Sequence, residues 1–341
     1  MRIVHVCRLY APHIGGVETH VAAVAHVQAR QGHQVTIVTT QHDSSLPLEE
    51  VGLDGIQIIR LPLDSSEQKL KTWWWMHQHS VLFRNANFVH VHDVFWWIFF
   101  LFLIYRVNFL ITFHGWETVW PVPFSHKLHR WIAARCARIK VHVGSWIQKI
   151  YWDVPDAVLY GGVDRELFKL PKPKLGRTVH IIFLGRLEHD TGVLQYLELL
   201  AELKRQRLGY TMLWVGDGSL RGRCEQVGTV TGLTRKVVQH LRVSDIVFAS
   251  TYLSMLQAQA ASRLVVSMYS NDLKKKYLEA YPGSQYCIIT DKPDTGATQL
   301  LSLLSKPERL QYIQNEARQF ARTQTWESVT AIYQNLWQQF V

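Results

Sequence analysis

Residues 160–187 read YGGVDRELFKLPKPKLGRTVHIIFLGRL, and at this stretch one pattern of strands and helices ends and a second begins. Residues 167–177 are rich in Pro and Lys and lack periodicity, which is typical of a linker. Residues 179–184 form a continuous apolar run, as expected of a buried strand. We therefore expect two folded domains, joined near residues 165–176.

Short apolar runs alternate with helical patterns on both sides of this junction. In the first half, strands are predicted at residues 2–7, 34–39, 56–60, 87–92, 109–113 and 140–143, and helices at 17–31, 94–105 and 127–137. In the second half, strands are predicted at 179–184, 211–215, 246–248, 264–267 and 286–290, and residues 307–341 read as helix. Apolar strands with helical crossovers indicate parallel sheets covered on both faces. Both halves are thus predicted to be doubly wound α/β domains, with ligands bound at the carboxyl ends of their strands, in a cleft between them.

The composition fits a globular chain with a basic surface. The chain has 341 residues, of which 48% are hydrophobic, and its formal charge is +10. A basic surface suits nucleotide phosphates, anionic lipid head groups or nucleic acid, and charge alone does not choose among them. The basic residues are scattered, with Lys274, Lys275 and Lys276 as the only short run. Because no recognition motif accompanies them, no nucleic-acid partner is expected.

Cysteines and apolar segments suggest a cytoplasmic protein. The four cysteines are far apart and form no CxxC pair, so single thiols are expected rather than disulfides or a zinc site. The opening MRIVHVC has no signal-peptide pattern. The run VFWWIFFLFLIY at 94–105 is too short to cross a bilayer. It is expected to be a mostly buried helix, and its aromatic side offers a peripheral contact with the inner face of the membrane.

Loops after the predicted strands carry the candidate site residues of the first half. Gly15 and Gly16 open the first helix, where backbone N–H groups can approach an anion, although an ordinary turn explains two glycines equally well. The loop is not the GxGxxG of dinucleotide binders, which argues against a nicotinamide enzyme. His114 follows the strand at 109–113 and is placed to hydrogen-bond a ligand.

The second half offers groups suited to phosphate. Arg186 follows Gly185 after the first strand, and a guanidinium donates in parallel to a diphosphate; the alternative is a surface ion pair with Glu188. Gly216 and Gly218 follow a later strand and permit close approach by a ligand. The stretch STYLSMLQAQAA at 250–261 enters a helix whose hydroxyls and N–H groups could cradle phosphate, while its glutamine at 257 could meet ribose hydroxyls or simply lie on a helix face.

With these loops in place, the chain resembles the family 4 retaining glycosyltransferases of the GT-B class, nearly end to end. The motifs are MRIVHVCRLYAPHIGGVETHV, YGGVDRELF, FLGRLEHDTGVLQYLELLAEL, LWVGDGSLR, VTG at 230–232, SDIVFAS and TWESVTAIYQNLW. The resemblance implies a GT-B fold, in which two Rossmann-like, doubly wound parallel-sheet domains face a central cleft. It implies an acceptor-binding domain at 1–165, a nucleotide-sugar-binding domain at 166–323 and a helix at 324–341 that crosses back to the first domain.

The sequence departs from the family pattern at two places. The family has a lysine five residues after the arginine, both on the donor diphosphate, and here that position is Thr191. It also has two glutamates separated by seven residues; Gln257 aligns with the second, and the first has no counterpart, so backbone N–H groups near Ser254 are expected to take its role. Losing a charge-assisted hydrogen bond worth about 1.5–3 kcal/mol would weaken donor binding roughly ten- to a hundredfold unless another cation compensates.

The resemblance implies retaining hexosyl transfer from a UDP- or GDP-linked sugar to a glycan or lipid-linked glycan, as in polysaccharide biosynthesis. It implies no cofactor and no obligatory metal, and no Asp-x-Asp is present. The catalytic residues it implies are His114 and Arg186, and the acceptor contacts are Glu18 and Trp116. The expected donor-binding residues are Gly15, Gly16, Gly185, Arg186, Thr191, Gly216, Gly218, Thr231, Tyr252, Leu253, Ser254 and Gln257.

Two other functions remain open at this point. The departures also suit a nucleotide-sugar-binding or accessory protein that keeps the fold without turnover, and a nucleotide-sugar epimerase could use the same fold. The tryptophans in TWWWMH at 72–77 and WW at 96–97 suit sugar stacking, a membrane interface or a buried core.

Overall fold

The computed structural model describes residues 1–62, 69–115 and 121–338. The chain divides into two compact units, one formed by Met1–Leu159 with Trp326–Val341 and the other by Tyr160–Thr325. The units change over after residues 159 and 325, whereas the sequence places the boundaries after residues 165 and 323. Each unit contains one sheet and is described separately.

The first unit is built on an eight-stranded sheet. Its strands are β1 (Arg2–Val6), β2 (Gln34–Thr40), β3 (Glu49–Val51), β4 (Gln57–Leu61), β5 (Phe88–His92), β6 (Phe109–Phe113), β7 (Ile139–Val143) and β8 (Ala157–Leu159). Their order is β3-β4-β2-β1-β5-β6-β7-β8, and all neighbours pair in parallel except β3 with β4. The predicted parallel sheet is confirmed. The sequence missed β3 and β8, because both are three-residue edge strands without a continuous buried run.

Helices connect these strands, and the sequence predicted those observed at 16–30, 95–105 and 124–136 but not the other three that the structure describes. They are α1 (Gly16–Arg30), α2 (Lys69–Gln78), α3 (Ser80–Arg84), α4 (Phe95–Tyr105), α5 (Phe124–Cys136) and α6 (Trp146–Tyr151). The aromatic helix α4 buries Phe95, Trp97, Ile98 and Leu101, and leaves Leu103 and Ile104 more than half exposed. Within the described ranges, we find no helix whose length and apolar character would let it cross a bilayer.

The second unit is built on a six-stranded, fully parallel sheet. Its strands are β9 (Val179–Leu184), β10 (Tyr210–Val215), β11 (Thr229–Val230), β12 (Ile246–Ala249), β13 (Leu264–Met268) and β14 (Cys287–Thr290), in the order β11-β10-β9-β12-β13-β14. Its helices are α7 (Val193–Arg205), α8 (Arg221–Glu225), α9 (Val237–Arg242), α10 (Tyr252–Ala260), α11 (Asp272–Glu279), α12 (Pro293–Leu304) and α13 (Pro307–Arg322). This doubly wound arrangement is the one predicted for the second half.

The Pro- and Lys-rich stretch at 167–177, expected to be a linker, is anchored to the second unit. Leu167 and Leu170 are buried in it, and the Arg318 guanidinium donates to the carbonyl oxygen of Phe168. The last helix, α14 (Trp326–Gln338), belongs to the first unit, where it packs on α1. The region read as helical at 307–341 thus forms two helices, α13 and α14, and the second begins near the boundary predicted at 324.

Two loops of the second unit touch backbone to backbone. A Cβ on Gly216 would lie 1.8 Å from the carbonyl oxygen of Gly185, and one on Gly218 would lie 2.5 Å from that of Leu187. Leu187 N–H also donates to the carbonyl oxygen of Asp217 at 2.8 Å. Both glycines have φ near +155°, so any side chain there is strained as well as obstructed. These glycines hold the loops after β9 and β10 together.

A group of histidines clusters between the first sheet and helix α1, and His20 and His90 also contact Tyr333 of α14. We call His5, His20, His90, His92 and His114 the histidine layer. His5 on β1 lies opposite His90 on β5, and four of the five are buried, with His114 half-buried at the edge. Burial lowers the pKa of His5 to about 4, and burial with the nearby Arg130 charge lowers the pKa of His114 to about 3. Burial and neighbouring histidines hold the pKa values of the other three well below the ordinary 6.5. The layer is therefore neutral at pH 7.

The histidine layer should make the first unit sensitive to mild acid. Because the unfolded histidines take up protons near pH 6.5 and the folded ones only at much lower pH, stability is fully present above pH 6.5 and is lost below it. Each histidine adds a slope that grows as the pH falls through 6.5 and reaches at most about 1.4 kcal/mol per pH unit. Urea unfolding followed by fluorescence between pH 7.5 and 5.5 should show this slope, and His90→Phe should reduce it. A flat profile, or an equal reduction by His180→Phe at an exposed position, would contradict the assignment.

Because the two loops are in contact, adding one methyl group at Gly216 should destabilise the protein strongly. Gly216→Ala should lower the free energy of unfolding by about 2 kcal/mol or more, since it adds both backbone strain and a clash with Gly185. Gly222→Ala is the matched control, because it lies in α8 with no atom within 4 Å of the added Cβ; it should be neutral or stabilising. Equal denaturation midpoints for the two variants would show that the loops do not depend on this contact.

Candidate functional site

The loop after β9 presents an exposed charge at the edge of the second sheet. The Arg186 side chain is 65% exposed, and its guanidinium lies 2.7 Å from the Asp190 carboxylate. The sequence offered Glu188 as the alternative ion-pair partner, but Glu188 instead accepts from the backbone N–H of Ser219 at 2.9 Å. Because an exposed pair of this kind contributes only about 0–1 kcal/mol, an anion with more charge can compete for the guanidinium.

Thr191, at the position of the family lysine, is buried under this loop. Its hydroxyl lies 2.7 Å from the carbonyl oxygen of Arg186 and 2.8 Å from that of Glu188. A hydroxyl held by these two backbone groups shapes the loop that carries Arg186. The structure therefore places Thr191 beneath the loop, with its polar atom turned to the protein.

A lysine that the sequence analysis did not select lies next to this loop. Lys274, on α11, is only 5% exposed, and its ammonium donates to the carbonyl oxygen of Ser250 at 2.5 Å. The Ser250 hydroxyl in turn donates to the carbonyl oxygen of Thr191. Burial lowers the pKa of Lys274 to about 8, while Asp190 opposes that shift and Arg186 adds to it. Lys274 is therefore a second cation close enough to interact electrostatically with Asp190 and Arg186 in the loop after β9.

The sequence did carry a signal for Lys274. From the sequence, Lys274 was noted only as part of a lysine run. In the structure, the buried residues of α11 are Leu273, Lys274, Tyr277 and Leu278. These positions follow the spacing of one inner helix face. A lysine on the apolar face of a helix is the feature that would have singled it out.

Two backbone N–H groups at the start of α10 already have hydrogen-bond partners within the protein. Thr251 caps the helix, and its hydroxyl accepts from the N–H of Ser254 at 3.4 Å. Tyr252 N–H donates to the Tyr277 hydroxyl at 3.0 Å, and the two rings are stacked with centroids 4.1 Å apart. The amide of Ser254, which the sequence assigned to the donor, is therefore already engaged by a capping box.

The other predicted donor residues of the second unit lie at the same end of the sheet. Gly216 and Gly218 accommodate the neighbouring loop, as described above, so the protein's own backbone fills the space that was expected for a ligand. Thr231 follows β11, and its N–H donates to the carbonyl oxygen of Trp214 at 2.9 Å. Leu253 and Gln257 are half-buried on α10.

In the first unit, a carboxylate covers the predicted anion loop. A Cβ on Gly15 would lie 2.2 Å from Glu18 Oε2, whereas the space around Gly16 is open. The Glu18 carboxylate also pairs with His13 at 3.0 Å. A carboxylate at the start of α1 is stabilised by the same N–H groups and dipole that would attract phosphate. An anion that approaches Gly15 would therefore have to displace Glu18.

His114 is held at two points. Its backbone N–H donates to Asp93 Oδ1 at 3.0 Å, and its Nε2 lies 3.0 Å from Nδ1 of His92. Since His114 is neutral at pH 7, it can bind a hydroxyl but cannot supply a positive charge. Trp116, the other aromatic candidate of this loop, lies outside the described residues.

A cavity of about 370 Å³ opens at the carboxyl ends of β5 and β6. Its lining residues are Asp93, Phe95, Trp96, Phe113, Gly115, His126, His129, Arg130 and Ala133. The sequence analysis missed Asp93 and Arg130. Asp93 could have been found, because it directly follows a buried strand; it also has φ of 63°, a conformation that costs free energy for a non-glycine residue.

Arg130 has no such signal in the sequence, since it lies within α5. The protein itself holds it in the cavity wall: it donates to the carbonyl oxygen of Gly115 at 2.8 Å and lies over the rings of Phe113 and Tyr151 at 4.3 and 4.2 Å. Among the residues that the structure describes, its Nε is buried and has no hydrogen-bond partner. A buried guanidinium of this kind is a preorganised donor.

Three histidines of the layer come close enough to suggest a metal site. One nitrogen from each of His5, His90 and His92 lies within 4.8 Å of the others. However, His5 and His92 are arranged end to end, with nitrogens 3.1 Å apart, centroids 5.4 Å apart and planes inclined by 21°. Metal ligands instead direct their lone pairs to one shared point at about 2.0–2.1 Å. The arrangement fits a hydrogen bond better than chelation.

Comparison with known proteins shows which family model matches the chain and which solved structures share its fold. The family model described as Glycosyltransferase Family 4 matches residues 14–167. The fold is shared with sucrose-phosphate synthase from Thermosynechococcus elongatus, at 13% identity and a TM-score of 0.78, covering 99% of this chain and 98% of that one. It is also shared with a glycosyltransferase from Rickettsia africae, at 17% identity and a TM-score of 0.77, covering 99% and 98%.

The Anabaena protein HepE, whose structure holds UDP and glucose, is similar at 12% identity and a TM-score of 0.70, covering 98% of each chain. No curated protein matches the chain in sequence. At these identities the structural likeness shows the fold, and the family match supports glycosyl transfer as the activity. The chain thus has the fold of these GT-B glycosyltransferases, and residues 14–167 match the family 4 model in sequence.

Proposed function

We propose that this protein transfers a hexose from a UDP- or GDP-linked donor to a glycan or lipid-linked glycan, with retention of configuration and without an obligatory metal. The second unit binds the donor, and the first binds the acceptor. The observation that carries the proposal is the pair of cations, Arg186 and Lys274, at the carboxyl edge of the second sheet.

Lys274 takes the place of the lysine that the family has at position 191. Its ammonium is tied through Ser250 to the backbone of Thr191, so a positive charge lies beside the residue that replaced the lysine. Arg186 reaches the diphosphate from the exposed side after leaving Asp190. Together they neutralise the charge that builds on the departing nucleotide diphosphate as the glycosidic bond breaks.

His114 is proposed to bind a hydroxyl of the transferred sugar. It is neutral, and its backbone is fixed by Asp93, which suits orientation of a neutral group. Glu18 stays a proposed acceptor contact, and its bond to His13 would set its position.

The cavity at β5 and β6 is the proposed acceptor site. Trp96 and Phe113 offer faces for a sugar ring, while Asp93 and Arg130 offer an acceptor and a donor for its hydroxyls. A volume of about 370 Å³ suits one or two sugar residues better than a long chain.

A lipid-linked acceptor is supported by exposed apolar side chains on the helices that line or adjoin this cavity. We call them the aromatic face; they are Leu70, Trp74, Leu103, Ile104, Phe124, Leu128, Trp131 and Trp152, all exposed. They lie on or next to α2, α4, α5 and α6, which pack against one another in series. Lys127 and Arg135 lie over Trp152 and Trp131 at 4.8 and 5.2 Å. Exposed tryptophan with basic residues is typical of proteins that bind anionic membranes.

An accessory role without turnover is the second candidate. It is favoured by the engaged amide of Ser254 and by the missing glutamate, which leave the sugar with fewer contacts than the family provides. Calorimetry that gives tight nucleotide binding, together with no transfer to any acceptor extract, would select it.

Transfer is tested with a panel of UDP-, GDP- and ADP-sugars and an extract of glycans and lipid-linked glycans as acceptors. Nucleotide release above background is expected with at least one donor, and it should fall to background in Arg186→Ala. Release equal in the native protein and this variant, for every donor, would refute the proposed function.

Lys274→Met should weaken binding of the active nucleotide about ten- to a hundredfold, because it removes a charge near the diphosphate. The substitution keeps the length and the buried stem of the side chain. Lys276→Met, at an exposed position of the same helix, is the control and should leave the Kd unchanged. Calorimetry measures both, and equal Kd values for the two variants would remove Lys274 from the donor site.

Vesicle sedimentation tests the aromatic face. With anionic phospholipid vesicles, the native protein should bind, and Trp74→Ser combined with Trp131→Ser should lose most of that binding. Val51→Ser, at an exposed apolar position on β3, should bind normally. Equal binding by all three proteins, or none to vesicles of any charge, would argue against a membrane acceptor.

A further inference from the structure

A chain of hydrogen bonds leads from helix α1 to His114. Gln28 Oε1 lies 2.8 Å from Nε2 of His5, Nδ1 of His5 lies 3.1 Å from Nε2 of His92, and Nδ1 of His92 lies 3.0 Å from Nε2 of His114. Gln28, His5 and His92 are buried. Each of the two inner rings thus uses both of its nitrogens, and the chain ends at the one histidine proposed to contact a sugar.

Neutral rings allow only two ways to place protons in such a chain. A neutral imidazole has one N–H donor and one bare acceptor nitrogen. If one contact is assigned a direction, every other contact must point the same way. The direction of the whole chain is therefore set at its buried end.

Gln28 sets that direction. Its carbonyl oxygen faces His5 and can only accept, so with this amide orientation the proton of His5 is on Nε2; the amide nitrogen is buried and has no hydrogen-bond partner among the described residues. His5 Nδ1 is then an acceptor, which places the proton of His92 on Nε2. His92 Nδ1 is likewise an acceptor, which places the proton of His114 on Nε2. The remaining nitrogen of His114, Nδ1, is left bare.

We propose that Gln28, His5 and His92 are positioning residues that fix the tautomer of His114, so that its Nδ1 accepts a hydrogen bond from a hydroxyl of the transferred sugar. The sugar part of this inference rests on the proposed function, whereas the tautomer does not. A bare Nδ1 on His114 would favour sugars that carry a hydroxyl at the contacted carbon over the corresponding deoxy sugars, since a deoxy sugar has no hydroxyl there to donate to it.

Nuclear magnetic resonance of the full-length protein with ¹⁵N-labelled histidine tests the tautomer directly. A protonated ring nitrogen and a bare one differ widely in ¹⁵N shift, and His114→Asn identifies the signals of His114. In the native protein, we expect Nδ1 of His114 at the bare position and Nε2 at the protonated position. A protonated Nδ1 would overturn the proposal without the need for any further variant.

Gln28→Met tests the origin of the direction. It removes the acceptor while filling the same volume, so both signals of His114 should move toward intermediate shifts as the two tautomers mix. Gln31→Met, at an exposed position just after the same helix, is the control and should leave them unchanged. Unchanged shifts in Gln28→Met would show that the glutamine does not set the tautomer.

The kinetic readout separates this inference from the proposed function. Gln28→Met should lower kcat/KM for the active nucleotide sugar severalfold and have less effect on its deoxy analogue. If no nucleotide sugar is turned over but the shifts respond as expected, the proposed function fails and the tautomer control stands. If transfer occurs but Nδ1 of His114 is protonated in the native protein, the proposed function stands and the tautomer control fails.

Discussion

Ser250 connects the segments on which the second unit's candidate site depends. Its hydroxyl donates to the carbonyl oxygen of Thr191, and its own carbonyl oxygen accepts from the ammonium of Lys274. The side chain is almost fully buried at the end of β12, so neither bond competes with much water. As a result, the loop that carries Arg186 and the helix that carries Lys274 are held in one arrangement. A chain that lacks the family lysine can in this way keep a second cation in the same part of the structure.

Both units bury polar groups where an apolar core would be simpler. A buried ammonium costs free energy unless it is paired, and Lys274 is paired with a carbonyl oxygen and lies over the ring of Tyr277 at 4.7 Å. In the first unit, the layer around His5 and His90 avoids a buried charge by staying neutral. In each unit the buried groups lead by hydrogen bonds toward the carboxyl edge of the sheet. Their cost to stability is explained if they orient the groups at that edge.

The sequence predicted the parts of this structure that depend on local patterns. The apolar runs located β5, β6 and β9 closely, because a strand buried on both faces has a continuous signature. It did not predict that Arg186 pairs with Asp190 or that the Thr191 hydroxyl binds backbone carbonyl oxygens. Both interactions depend on the conformation of the loop after β9. Lys274 and Arg130 were missed for a related reason: helices bring them to loops distant in sequence. Asp93 could have been predicted, because it directly follows a strand, which is the rule that selected His114.

The central claim is that Arg186 and Lys274 together hold a nucleotide diphosphate. A crystal structure of the protein with a bound UDP- or GDP-sugar tests it most directly. The account predicts that the guanidinium has left Asp190 for the phosphate oxygens and that the ammonium of Lys274 lies within about 4–6 Å of them, the range over which an opposite charge is strongly felt. A nucleotide bound elsewhere, or one whose phosphates leave the Arg186–Asp190 pair intact, would contradict it.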